Sequence, residues 1–381
     1  FASFKLFSFL DKKMQLEILQ PIEDYFVKKK YLPQTIGGQI IKHTLHEGMP
    51  ELNNIQIALI SIVDADSIME NSYREYFYNL FFGNWKFTIA DLGNIPEGKT
   101  DEDTFFVVKG IVFQLLKKGI TPIIIGGKQE VTYSIYRAFD RLEQMVNLVT
   151  VDALLDFGNE KEIINTESYM SRILMETPNN LNNYTNIGYQ TYYNAQESLD
   201  LLQKMYFEGY RLGEVTHYME MVEPILRNAD IVSMDLTCVQ ASDLDSSKGF
   251  VNGFTNREIC SISRYAGLSM QTSVFGVFNI PKTIRAKQLT GQILWYFLEG
   301  YNFRIKEFPT TENINFTKYI VLIEEFIIEF YKSNHTGRWW ILPSEQAKGI
   351  GMLPCTEKDY QKACEGIIPE RWWNLHQRSF F

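Results

Sequence analysis

The sequence predicts an α/β protein of three layers, with helices on both faces of a mainly parallel central sheet and an extension at the C-terminal end. Three observations carry that prediction. Short apolar runs alternate with longer amphipathic segments over residues 51–305. The run Ile55 to Val63 (IQIALISIV) is almost continuously apolar, as a strand buried on both faces requires. Repetition of the strand–helix order calls for right-handed crossovers, which place successive strands parallel.

The elements follow in order. Asp103 to Gly119 has helical spacing, with Phe106, Val107, Ile111, Leu115 and Leu116 on one side and Gly119 as the stop. Thr121 to Ile125 is a strand, Val131 to Phe139 a helix, and Met145 to Val151 a strand. Asn159 to Asn194 is polar and poorly patterned, so it reads as loop with a short strand at Ile187 to Tyr189. Leu199 to Tyr206 and His217 to Leu226 read as helices, and Asp230 to Leu236 as a strand. Thr255 to Ala266 is a helix opened by a capping box, Thr255 with Glu258 three residues on. Gln271 to Phe278 is a strand and Ile284 to Gly300 a long helix.

After about Asn302 the pattern changes. Tyr319 to Tyr331 (YIVLIEEFIIEFY) fits a strand or a helix. Arg338-Trp339-Trp340 and Arg371-Trp372-Trp373 follow, in surroundings too different for a repeat, and pairs of this kind usually bury against a core. The expected division is an N-terminal segment over 1–50, the α/β domain over 51–305, and an extension over 306–381 packed on it.

Composition narrows the classes. With 381 residues, 45% of them hydrophobic, the chain can bury a sizeable core. A net charge of −9 argues against non-specific nucleic-acid binding. The apolar runs fall short of the roughly 20 residues a membrane helix needs. Phe1 to Leu10 lacks the pattern of a secretory signal. Cys238, Cys260, Cys355 and Cys364 form no C-x-x-C pair, so neither a zinc ribbon nor a redox dithiol is indicated. A cytoplasmic protein with reduced thiols is the expectation.

Three segments at strand ends carry the chemistry, and in such sheets ligands sit at carboxyl ends of strands. They are Gly126-Gly127-Lys128-Gln129-Glu130, Asp152-Ala153-Leu154-Leu155-Asp156, and Ser233-Met234-Asp235-Leu236-Thr237. Rival motifs are missing: no phosphate-loop spacing surrounds Lys128, and no Gly-x-Ser-x-Gly elbow occurs. His43, His46, His217, His335 and His376 all lie outside the three segments. Cys238 lies near them with no motif histidine to serve as its base.

The order GG-x-x-E, D-A-x-x-D, S-x-D resembles the arginase/agmatinase/formimidoylglutamase (ureohydrolase) family, whose patterns are GG(D/G)H(S/E), DAHxD and SxDxDxxDP. The helix Arg257 to Ala266 (REICSISRYA) is also similar. The resemblance implies an arginase-like fold and a binuclear manganese centre that hydrolyses C–N bonds of linear amidines. Carried over by position, it leaves Asp152, Asp156 and Asp235 as remnant metal ligands. Gln129, Leu154 and Thr237 occupy lost ligand positions, the next aspartate is Gln240, and the proline is Ala241. The family's late acidic residue falls near Val277-Phe278-Asn279, where no carboxylate stands.

Leucine has no lone pair, and glutamine and threonine are weak neutral donors for Mn2+. The expectation is therefore a catalytically degenerate member, a pseudoenzyme with an interaction or structural role and a protein partner. No cofactor is expected, though three aspartates leave room for weak Mg2+ or Ca2+. One alternative is a formimidoylglutamase-, arginase- or agmatinase-like hydrolase with an altered site. Another is a small-molecule sensor using the old pocket. Lys128 has two readings, a counter-charge among the aspartates in place of metal, or a solvated side chain.

Overall fold

The computed structural model describes residues 16–63, 72–158, 168–247, 249–309, 315–345 and 351–380. Nine strands form one sheet: β1 (Ile41–Lys42), β2 (Ile57–Val63), β3 (Ile89–Pro96), β4 (Thr121–Ile125), β5 (Val146–Val151), β6 (Leu181–Tyr189), β7 (Glu208–Arg211), β8 (Ile231–Asp235) and β9 (Val274–Phe278). Their spatial order is β1-β3-β2-β4-β9-β8-β5-β6-β7, and every pairing is parallel. The late strands β8 and β9 are thus inserted between β4 and β5, which puts all three sequence motifs on neighbouring strand ends in the middle of the sheet.

Alternate residues of each strand enter opposite cores, because side chains alternate across a pleated strand. Ile57, Leu59, Val149, Val151, Val232, Met234, Phe275 and Val277 join one core with the helices Asn256–Leu268 and Ile284–Asn302. Ala58, Ile60, Ile124, Leu148, Ile231, Val274 and Phe278 join the other with the helices Asp101–Lys117 and Val131–Ala138. This is the three-layer architecture the sequence predicts.

Several local expectations change. The short strand at Ile187 to Tyr189 is the end of β6, which begins at Leu181, and a helix Tyr169–Met175 precedes it. Residues 159–167 of that polar stretch lie outside the described residues. The helix expected over His217 to Leu226 is broken: one helix ends at His217, a 3-10 turn covers Met219–Met221, and Val222–Arg227 is a second helix. The sheet also gains β1, β3 and β7.

Tyr319 to Tyr331 resolves into a hairpin. β10 (Phe316–Ile323) and β11 (Phe326–Ser333) pair antiparallel, and β12 (Trp339–Ile341) and β13 (Leu353–Cys355) complete a four-stranded sheet in the order β10-β11-β12-β13. Helices Glu357–Cys364 and Glu370–Arg378 supply Ala363, Trp372 and Leu375 to its own core. This sheet docks beside β7. Arg371 Nε donates to Glu208 of β7 at 2.7 Å, Arg227 Nη1 donates to the Trp339 carbonyl at 2.9 Å, and the Arg227 guanidinium lies 4.5 Å from the Trp340 ring centroid. Trp339, Trp340 and Trp372 are buried, whereas Trp373 is 37% exposed.

Candidate functional site at the carboxyl ends of β4, β9, β8 and β5

The first motif turns sharply after β4. Gly126 and Gly127 have φ of +87° and +72°, a region costly for other residues. A Cβ on Gly126 would lie 2.6 Å from the Ile62 carbonyl oxygen. The turn is held to β9 by Gly126 N donating to the Val277 carbonyl and Asn279 N donating to the Gly127 carbonyl, both at 2.9 Å. The following helix is tied to β8 by the Thr132 and Ser233 hydroxyls, 2.6 Å apart. Gln129 is thereby fully buried, and neither its amide oxygen nor its amide nitrogen has a hydrogen-bond partner.

The second motif leaves β5 in a compact turn. Asp152 Oδ1 accepts from Leu154 N at 2.9 Å, while Oδ2 is buried with no partner. Asp156 has a left-handed backbone, φ +55°, and both its carboxylate oxygens are buried without hydrogen bonds. Asn186 of β6 braces the turn by donating to the Leu154 carbonyl at 2.7 Å. Leu154 itself is half-buried.

Asp235 at the end of β8 is held differently. Its Oδ1 accepts from both Thr237 N and Thr237 Oγ1 at 2.7 Å, and its Oδ2 accepts from Asn279 Nδ2 at 2.7 Å. Both oxygens are therefore engaged by the chain's own donors. Burial raises the Asp235 carboxyl above its ordinary range, and the Thr237 and Asn279 hydrogen bonds hold it partly down. Asp152 and Asp156 are pushed well above theirs, by burial first and by neighbouring carboxylates second. Burial likewise forces the Cys238 thiol well up, so it is not a ready nucleophile.

Lys128 does not join the aspartates. Its ammonium lies 3.3 Å from Asp101 and 3.3 Å from Glu130, and its side chain is 58% exposed. The counter-charge reading is corrected accordingly: the side chain two positions before the buried Glu130 turns outward, and it pairs at the rim. Among the described residues no ion pair reaches Asp152, Asp156 or Asp235, and no group of three or more His, Cys, Asp and Glu side chains is placed to hold a metal ion.

The sequence reading missed three residues here. Asn279 was legible only as the absence of a carboxylate, although its place after a strand beside the third motif is the signal that locates it. Tyr169, buried with an unpartnered hydroxyl, comes from a stretch with no pattern. Glu130, buried with one unpartnered oxygen and a carboxyl raised by burial, was legible as a motif letter but not as a buried acid.

The comparisons bear on the fold. A family model described as the arginase family matches residues 63–274. The solved formiminoglutamase of Trypanosoma cruzi with Mn2+ superposes with a TM-score of 0.60 at 16% identity, covering 67% of this chain and 96% of that one. Formimidoylglutamase from Bacillus subtilis gives a TM-score of 0.58 at 15% identity, over 68% and 91% of the two chains. Agmatine ureohydrolase of Thermoplasma volcanium gives 0.55 at 15% identity, over 73% and 97%. At such identities these likenesses speak for the fold alone. No curated protein sequence matches the chain.

Proposed function

This chain belongs to the arginase family, and from that premise we propose that it keeps the family's scaffold without the two-manganese chemistry and acts through interactions. The observation that carries the reading is the state of Asp235. Thr237 N and Oγ1 fill the lone pairs of its Oδ1 and Asn279 takes one at its Oδ2, so the carboxylate is held by the chain's own donors and a cation would have to compete with them. Leu154 contributes no lone pair, and Gln129 only neutral donors. This donor set does not fit a binuclear manganese centre.

A second reading has its own support. Asp152 Oδ2, both oxygens of Asp156 and both amide atoms of Gln129 are buried and make no hydrogen bond of good geometry, although Gln129 lies against Asp152, and Tyr169 against Asp156. Buried polar atoms ordinarily find one. A single hard cation could be held by oxygens of this kind, which would favour an altered hydrolase of linear amidines.

Metal binding and turnover separate the readings. After incubation with excess Mn2+ and dialysis, the expected manganese content is far below stoichiometric, with no thermal shift. Arginine, agmatine and formimino-glutamate should remain uncleaved. Tight stoichiometric manganese, with turnover abolished in Asp235→Ala, would instead establish the hydrolase.

A further inference from the structure

We propose that β10 is the seam of a two-fold homodimer, in which its free edge pairs antiparallel with β10 of a second copy. The inference is independent of how the metal-site residues are read.

The edge is long and regular. β10 pairs one-to-one with β11 over eight residues, from Phe316 opposite Ser333 to Ile323 opposite Phe326, with no bulge. It is the outermost strand of its sheet among the described residues. Edge strands are normally protected by bulges, prolines or several charges, because their open backbone groups recruit other strands. β10 carries no proline and Lys318 as its one charge.

The backbone parity is known. Asn334 N donates to the Asn315 carbonyl at 2.9 Å, one step before β10. Antiparallel pairs alternate between hydrogen-bonded and open, so odd-numbered residues bond to β11. The N–H and C=O groups of Lys318, Ile320 and Leu322 consequently point to the free edge.

Side chains on the same face are apolar and exposed. Ile320 is 62% exposed, Leu322 70%, and Ile327, opposite Leu322 on β11, 64%. The other face is occupied: Tyr319 lies against Trp339 and Tyr360, and Ile323 is buried in the extension's core.

A second copy fits this edge in one register better than in its neighbours. Parity requires even residues to bond to even residues. With the two-fold axis at Val321, Ile320 of each copy exchanges both hydrogen bonds with Leu322 of the other. Lys318 then faces Glu324, the first turn residue of the other copy's hairpin, once on each side of the axis. Shifting the axis to Ile320 sets Lys318 against Leu322, and shifting it to Leu322 carries Lys318 past the hairpin turn, where no residue of the other β10 faces it. Only the central register opposes unlike charges, which favours a cross-strand pair. Lys318 already lies 2.7 Å from Glu329 of its own β11, so its ammonium would sit between two carboxylates. The six side chains Ile320, Leu322 and Ile327 of the two copies form one strip across the axis and leave water together.

The test uses the full chain in sedimentation velocity and native mass measurement over a range of concentrations. A dimer, or a larger even assembly, is expected. Ile320→Pro removes an outward N–H without touching the β11 ladder, and should halve the assembly mass while the circular dichroism spectrum stays that of the folded parent. Lys318→Glu and Glu324→Lys should each weaken association by about tenfold or more, through two like-charge pairs per dimer, and the double exchange should restore it. Should Ile320→Pro fail to fold, amide exchange on the unaltered chain decides: the Ile320 and Leu322 amides should become protected as concentration rises. A monomer at all concentrations overturns the proposal. So does an assembly untouched by these substitutions, and so does an edge protected only when a different protein is added.

Discussion

Asp230 shows how a single residue can set a pH dependence. It precedes β8, is 5% exposed, and accepts from Asn147 N at 2.8 Å and Gln144 Nε2 at 3.0 Å. Burial pushes its carboxyl up to about 6 from 3.8, against those two hydrogen bonds. A carboxyl raised on folding binds its proton more tightly in the native state, so its contribution to stability grows as pH falls through 6 towards 4 and is lost as pH rises. Two units correspond to about 3 kcal/mol at most. Asp230→Asn removes the titration. The stability of the parent minus that of the variant, from urea unfolding at pH 4.5 and pH 7.5, should therefore be larger at the lower pH. A difference that is flat with pH would refute the assignment. The same scale separates what was legible at the candidate site from what was not. Asp152, Asp156 and Asp235 are visible as motif letters. That Thr237 and Asn279 close over Asp235 is not, because Asn279 reaches it across 44 positions of chain.

At the scale of elements, the helix Asn256–Leu268 was the clearest in the sequence. Thr255 Oγ1 accepts from Glu258 N, and the Glu258 carboxylate accepts from Thr255 N at 2.8 Å. Helix and box are local, and four consecutive residues specify them. Thr255→Ala should cost about 1 kcal/mol, and it is checked as a shift of the urea midpoint with an unchanged slope. β6 is the opposite case. Leu181 to Tyr189 (LNNYTNIGY) carries three asparagines, a poor strand former. Its partners come from elsewhere in the fold: Asn186 donates to Thr150 and to the Leu154 carbonyl, and Asn183 accepts from Arg378 of the last helix. Tertiary hydrogen bonds override the local preference, so no window of sequence reveals the strand. The hairpin Phe316–Ser333 was ambiguous for a related reason. Two short apolar runs of this kind do not tell strand from helix, and the decisive feature is the two-residue turn at Glu324 and Glu325 between them, with Glu324 at φ +51°.

For the whole molecule, the extension contributes to the parent sheet. Burial pushes the carboxyl of Glu208 on β7 up, but Arg371 and Arg378 beside it outweigh that and hold it below the usual range. Truncation after Arg304 would remove the guanidinium paired with Glu208 and uncover the surface around Arg227. The truncated chain should aggregate or melt earlier, as gel filtration and thermal unfolding will read. A monodisperse product with the parent melting temperature would show that the extension is dispensable to the fold. By itself the sequence determined the three-layer architecture and which residues stand at the strand ends, since periodicity and short motifs are properties of neighbouring residues. Only the tertiary structure decided that β8 and β9 lie between β4 and β5, that Lys128 turns outward to Asp101, and that Asp235 is satisfied by its own chain. Each of those depends at least in part on groups brought together from distant positions, Asn279 in the case of Asp235, where hydrogen-bond geometry and burial, invisible to local pattern, choose the partner.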